Sequence, residues 1–162
     1  MSNIRLGIIG YGYWGTNLVR NFFGTAQCQL AKVADGRPER LEALARIFPT
    51  IQRVTEGADI INDPHIDAVV IATPVFTHFE LAKKALENGK HVLIEKPMTA
   101  SSAEADALIE LAEKKGLTLM VDHTFLYTGA VQKMKQLMES NTIGQRSEEH
   151  TSELQSHSFI SY

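Results

Sequence analysis

Three glycines, Gly10, Gly12 and Gly15, stand in the run GYGYWG with the spacing G-x-G-x-x-G, directly after the apolar run 4–9 and ahead of a helical pattern. The chemistry such a turn can do is anion binding. Gly10 makes the tight turn, Gly12 lets the backbone approach a pyrophosphate, and Gly15 allows close helix packing, with the helix N-terminus facing the negative charge. Asp35 closes the second apolar run, about 20 residues beyond Gly15, where a carboxylate accepts hydrogen bonds from an adenosine ribose. A carboxylate there favours a free 2′-hydroxyl and repels a 2′-phosphate. NAD is therefore expected over NADP, although Arg37 and Arg40 stand close enough to offset that repulsion. Tyr13 and Trp14 are expected beside the loop, either against the cofactor or as packing.

Two more stretches carry reactive side chains. In ATPVFTH, Thr73 and Pro74 follow the fourth apolar run, and Thr77 with Glu80 has the spacing of a capping box. His78 then falls at the first helical residue, where the helix dipole disfavours imidazolium. A neutral His78 either hydrogen-bonds a cofactor or substrate or is a surface histidine at a helix start. In EKP, Pro97 biases Lys96 toward extended geometry, and neighbouring strand residues point to opposite faces, so Glu95 and Lys96 are expected to do different jobs. A lysine beside an oxidised nicotinamide ring is pushed toward its neutral form by that cation and by burial. Neutral, it takes the hydroxyl proton of an alcohol as hydride leaves, and protonated it polarises the carbonyl in reverse. The bland alternative is a solvated lysine at a strand end.

These residues need a scaffold that gathers strand ends. Apolar runs of strand length lie at residues 4–9, 28–34, 67–72, 91–95 and 117–121, with a weaker one at 51–54. They are nearly continuous rather than alternating, as strands covered on both faces require, which predicts a parallel sheet. Helical patterns intervene. Thr77 and Glu80 open one that repeats Leu81, Ala82, Ala85 and Leu86 and ends at Gly89. Ser101 and Glu104 open another with Leu108, Ile109, Leu111 and Ala112 inside and Gly116 at its end, and a third runs from Pro38 to just before Pro49. The class expected is α/β, a doubly wound parallel sheet of the Rossmann type.

Composition sets the limits. The chain has 162 residues, 44% of them hydrophobic, and a formal net charge of −3. It carries neither a basic run nor interleaved aromatic and basic residues, so nucleic acid is not an expected partner. The run MSNIRLGIIG enters a strand pattern too early for a leader peptide, and no stretch is long enough to span a bilayer, so no membrane partner is expected. A single cysteine, Cys28, in an apolar context reads as a buried inert thiol and suits a reducing cytoplasm. No metal site is expected.

Taken together, GYGYWG, VAD ending at Asp35, IDAVVIATP with His78 four residues on, GKHVLIEKPMT and LMVDH resemble the glucose-fructose oxidoreductase and inositol dehydrogenase family, Gfo/Idh/MocA. The resemblance runs from residue 4 to about 145, and GKHVLIEKP is its most specific piece. It implies that Lys96 is the catalytic lysine and that Glu95 contacts the nicotinamide-side ribose, with Thr73, Pro74 and His78 lining the nicotinamide site. His123 matches a further family position. Family members often carry Arg three residues after it, where this chain has Leu126.

The resemblance also implies a continuation. A dinucleotide domain over 1–127 would be followed by a second α/β domain whose open sheet binds the substrate, and 128–145 looks like that domain's first helix and turn. On that helix Val131, Met134, Leu137 and Met138 share one face, which favours association between copies. The activity implied is transfer of hydride between NAD and a secondary alcohol of a sugar, cyclitol or nucleotide sugar. Two other readings stay open: a non-catalytic dinucleotide sensor and an NAD-dependent glycosidase. Residues 146–162 do not continue the family pattern. RSEEHTSELQS and the final Ile160, Ser161 and Tyr162 resemble the in-frame translation of a common sequencing-library adapter, so this tail, with His150 and His157, is set aside as non-native.

Overall fold

The computed structural model of the chain describes residues 4–142 and Gly144. The tail from 146 onward lies outside the described residues. Two compact units are present, Met1–Asp122 and a second beginning at His123.

The first unit is built on a six-stranded sheet. Its strands are β1 (Ile4–Ile9), β2 (Cys28–Ala34), β3 (Gln52–Val54), β4 (Ala68–Ile71), β5 (His91–Glu95) and β6 (Leu119–Asp122), in the order β3-β2-β1-β4-β5-β6. Every pairing is parallel, as the unbroken apolar runs predict. The cause is visible residue by residue. Ile8, Val33 and Val70 enter one core layer, whereas their neighbours Ile9, Ala34, Val69 and Ile71 enter the other. Strand residues of both parities are thus buried, and no polar alternation survives.

Helices cover the two faces. α1 (Tyr13–Phe23) and α2 (Pro38–Ile47) pack Val19 and Leu44 on one side. On the other, α3 (Ala58–Ile61), α4 (His78–Glu87) and α5 (Ser102–Lys115) contribute Ile60, Ala82, Leu86 and Leu108. Pro38 occupies the first turn of α2, where the missing amide costs no hydrogen bond. Ser101 caps α5 by accepting the Glu104 amide at 3.3 Å, and Glu104 reaches back to the Ala100 amide at 3.1 Å. Gly116, at φ 65°, stops α5 in the left-handed region, and Gly89, at φ 74°, follows α4 in the same way.

Three expectations are corrected. Ile109 is 43% exposed, because Leu108 and Ala112, one helical turn apart, hold the buried stripe and Ile109 is rotated about 100° away from Leu108. Cys28 is half-buried, its thiol donating to the Phe22 carbonyl at 3.4 Å, and burial pushes that thiol up. Thr77 does not cap α4. A short 3₁₀ turn, Val75–Thr77, precedes the helix, so the Thr77 hydroxyl faces back and donates to the Pro74 carbonyl at 2.8 Å.

The run GKHVLIEKP contains a structural lysine the spacing does not reveal. Lys90 is buried, and its ammonium donates to the carbonyls of Asp63 at 2.7 Å and Ile66 at 2.6 Å. Those bonds replace water around the charge and tie the turn before β4 to the start of β5.

In the second unit a 3₁₀ turn, Thr124–Tyr127, leads into α6 (Gly129–Glu139). The Thr128 amide donates to the Phe125 carbonyl and the Gln132 side chain to that of Leu126, so the turn belongs with the helix. Both lie within the unit that begins at His123.

Candidate functional site

Because all strands run parallel, their carboxyl ends open on one edge. The strand order reverses between β1, which leads outward to β2 and β3, and β4, which leads outward to β5 and β6. Open α/β sheets bind ligands at that switch point. The glycine turn sits there. The Gly10 amide donates to the Ala34 carbonyl at 2.8 Å, the Ala72 amide donates to the Ile9 carbonyl at 2.8 Å, and Gly10 holds φ 101°.

The glycines divide into two kinds. A Cβ on Gly10 would lie 2.5 Å from the Ala72 carbonyl oxygen, and one on Gly15 would lie 2.1 Å from that of Gly10. Both are required by the protein's own packing. A Cβ on Gly12 would meet only the Arg40 guanidinium, at 3.5 Å. The chain has room for a side chain at Gly12, so the bare backbone there leaves space for something outside the chain. Residues present fit a dinucleotide by this test.

Asp35 is buried and its carboxylate holds three donors. Oδ2 accepts the Tyr11 amide at 2.8 Å and the Arg40 Nη1 at 3.1 Å, and Oδ1 accepts the Arg37 amide at 2.9 Å. Burial pushes this carboxyl up, but the two amides and the guanidinium together hold it below the ordinary carboxylate range. Arg40 is thus neutralised by Asp35 rather than free to oppose it.

A cavity of about 340 Å³ is lined by Gly12, Tyr13, Trp14, Arg40, Ala72, Thr73, Pro74, Glu95 and Lys96. The Tyr13 and Trp14 rings meet edge to face, centroids 5.7 Å apart. Both remain exposed, so they wall the cavity rather than fill the core. Glu95 is buried, and its Oε2 accepts the Lys96 amide at 3.1 Å. Lys96 is exposed and, among the described residues, forms no ion pair. The peptide joining it to Pro97 is cis. Burial and then the neighbouring Asp122 charge push the Glu95 carboxyl up, partly offset by the Lys96 amide.

His78 matches neither expectation. It is 1% exposed, with Nε2 2.8 Å from the Thr73 carbonyl and Nδ1 3.0 Å from that of Pro97. Both ring nitrogens are occupied by backbone, so His78 brackets the loop after β4 to the loop after β5 and presents nothing to the cavity. His123 belongs to the second unit, exposed at the start of the 3₁₀ turn. Sequence reasoning missed Asp122, whose signal is positional. It stands at the carboxyl end of β6, in register with Glu95.

The family model described as "Oxidoreductase family, NAD-binding Rossmann fold", GFO_IDH_MocA, matches residues 4–123. The chain belongs to this oxidoreductase family. Among curated relatives, UDP-N-acetylglucosamine 3-dehydrogenase of Acidithiobacillus ferrooxidans is 36% identical over 84% of this chain and 42% of its own length. The scyllo-inositol 2-dehydrogenase (NADP(+)) IolW of Bacillus subtilis is 32% identical over 88% of this chain and 39% of its own. A solved NAD-binding protein from Listeria innocua superposes with a TM-score of 0.81 at 32% identity, over 89% of this chain and 42% of its own. The chain thus spans about two fifths of the length of the relatives it matches. Among the described residues no helix is long and apolar enough to cross a membrane.

Proposed function

We propose that this chain is the cofactor-binding part of an NAD-dependent oxidoreductase that moves hydride between nicotinamide and a secondary alcohol of a sugar, cyclitol or nucleotide sugar. The observation that carries the reading is the cavity at the switch point that brings Gly12 and Trp14 together with Glu95 and Lys96. When bound, the nicotinamide supplies the hydride chemistry. The chain's own residues do the rest. The α1 N-terminus and the open backbone at Gly12 face the pyrophosphate, and Asp35 with Arg40 takes the adenosine end. Thr73 and Pro74 line the nicotinamide end, and Glu95 faces the ribose beside it. Lys96, exposed and without an ion pair among the described residues, takes the alcohol proton or returns it.

NAD is preferred because a carboxylate at Asp35 repels a 2′-phosphate, and Arg40 is already paired with it. A relative named for NADP shows that the family itself does not decide the point. The substrate side belongs to the second unit, which His123 opens, together with the additional length that the relatives possess. A cytoplasmic location and a small-molecule partner go with this reading. Calorimetric titration of the chain with NAD and NADP tests it. NAD binding about tenfold tighter, roughly 1.4 kcal/mol, is expected. Equal affinity overturns the NAD preference, and no binding of either overturns the reading.

A further inference from the structure

Glu95 and Asp122 close two adjacent parallel strands at the same register, so their side chains leave the same face of the sheet at its carboxyl edge. Glu95 is buried and Asp122 is half-buried, so two carboxyls stand beside each other at the partly desolvated edge of the sheet. Two like charges at such an edge repel, and a proton on one of them relieves that repulsion. The other charged or titratable groups facing Glu95 are few: Lys96 beside it in the chain, and Arg40 and Tyr13 across the cavity. From α4, His78 is turned away and held by backbone carbonyls. Glu95 makes no ion pair with Lys96 or with Arg40, whose guanidinium is taken by Asp35.

We propose that Asp122 is a positioning residue for Lys96: it accepts a hydrogen bond from a protonated Glu95, so that the edge of the crevice holds one carboxylate instead of two. The proton stays on Glu95 Oε1, the Lys96 amide keeps Oε2, and no bond between heavy atoms changes. A neutral Glu95 does not draw the neighbouring ammonium into a salt bridge. Lys96 is then left to a substrate hydroxyl, with its proton free to move, and Glu95 keeps acceptor lone pairs for a sugar hydroxyl. Asp122 acts through Glu95 and touches neither reacting atom.

This assignment rests on the reading of Lys96 as the acid–base group, but its test needs no cofactor, so it can fail while cofactor binding stands. The full chain, labelled with ¹³C at glutamate carboxyls, is titrated by NMR, and the Glu95 signal is identified by its loss in Glu95→Gln. The expected result is a Glu95 midpoint above the roughly 4.3 of a free glutamate, moving to lower pH in Asp122→Asn while the amide spectrum keeps its dispersion. If the asparagine variant alters the fold, Asp122→Ser is the second variant, with the same expected downward shift. A Glu95 midpoint at the free value, or one that stays in place when Asp122 is replaced in a folded chain, overturns the proposal.

Discussion

The Tyr11 amide donates to Asp35 Oδ2 at 2.8 Å, so the carboxylate that ends β2 also holds closed the turn that carries Gly10 and Gly12. The residue expected to select the cofactor is thus also one that holds the glycine turn in place. Asp35→Ser should lose both functions. A charged hydrogen bond of this kind contributes about 1.5–3 kcal/mol, so urea unfolding should show a loss of that order. Arg40, freed from its partner at 3.1 Å, becomes available to a 2′-phosphate, and titration should show the preference move toward NADP. A variant as stable as the parent with the same preference would contradict both roles.

Gly12 and Gly15 should separate binding from folding. Gly15→Ala places a methyl group 2.1 Å from the Gly10 carbonyl oxygen, so the α1 N-terminus must shift and the melting temperature should fall by several degrees. Gly12→Ala meets only a guanidinium at 3.5 Å and should melt close to the parent while binding NAD at least about tenfold more weakly. Thermal melts with and without NAD distinguish the two. A Gly12→Ala chain that binds normally would mean that nothing approaches the backbone there.

The two buried carboxyls should give opposite pH dependences of stability. Asp35 is held low in the folded state, so its contribution is present above its unfolded value of about 3.9 and is lost as pH falls through the folded midpoint. Glu95 is held high, so its contribution is complete below about 4.3 and is lost as pH rises through its folded midpoint. Glu95→Gln removes the second term only. The difference in melting temperature between variant and parent should therefore widen in the variant's favour as pH rises from 4 to 8. A difference independent of pH would show that Glu95 ionises in the folded chain as it does in the unfolded one.

The strand limits of β1, β2 and β5 were legible from the sequence because burial on both faces leaves uninterrupted apolar runs, and Gly10, Gly15 and Asp35 because each answers a local backbone requirement. His78 and Asp122 were not, since their partners lie elsewhere in the chain. The ring of His78 is fixed by a carbonyl 19 residues away, and Asp122 gains its meaning only when β6 pairs in register beside β5. Thr77 failed as a cap for a related reason. The spacing to Glu80 is right, but a 3₁₀ turn occupies the residues before it and directs its hydroxyl to Pro74.

His78 should matter to stability before it matters to binding. Its ring lies within hydrogen-bond distance of two backbone carbonyls, and His78→Ala removes the N–H donor there and leaves a new cavity. A loss of about 2–4 kcal/mol is expected from denaturant unfolding. His78→Gln, which keeps one donor, should recover part of it. If His78→Ala instead leaves stability unchanged and weakens only cofactor affinity, the histidine faces the cofactor after all.

The last prediction is that this chain binds cofactor and turns nothing over. Hydride transfer needs the substrate carbon held about 3–3.5 Å from the nicotinamide with water excluded. Lys96 can contribute the proton step, typically worth a factor of about 100 to 10,000, but one exposed lysine cannot orient a sugar. The chain spans about two fifths of its relatives' length, and the cavity around Lys96 is lined by the cofactor-binding unit alone. On α6, Met134 is 55% and Met138 48% exposed, which leaves an apolar stripe with Val131 and Leu137. Copies should therefore associate. A steady-state assay with NAD and a panel of sugars and cyclitols should show no turnover above background, and light scattering on the same sample should show species larger than a monomer. Robust turnover abolished by Lys96→Ala would mean that the chain holds a complete active site, and a strictly monomeric sample would mean that the α6 stripe is covered within one copy.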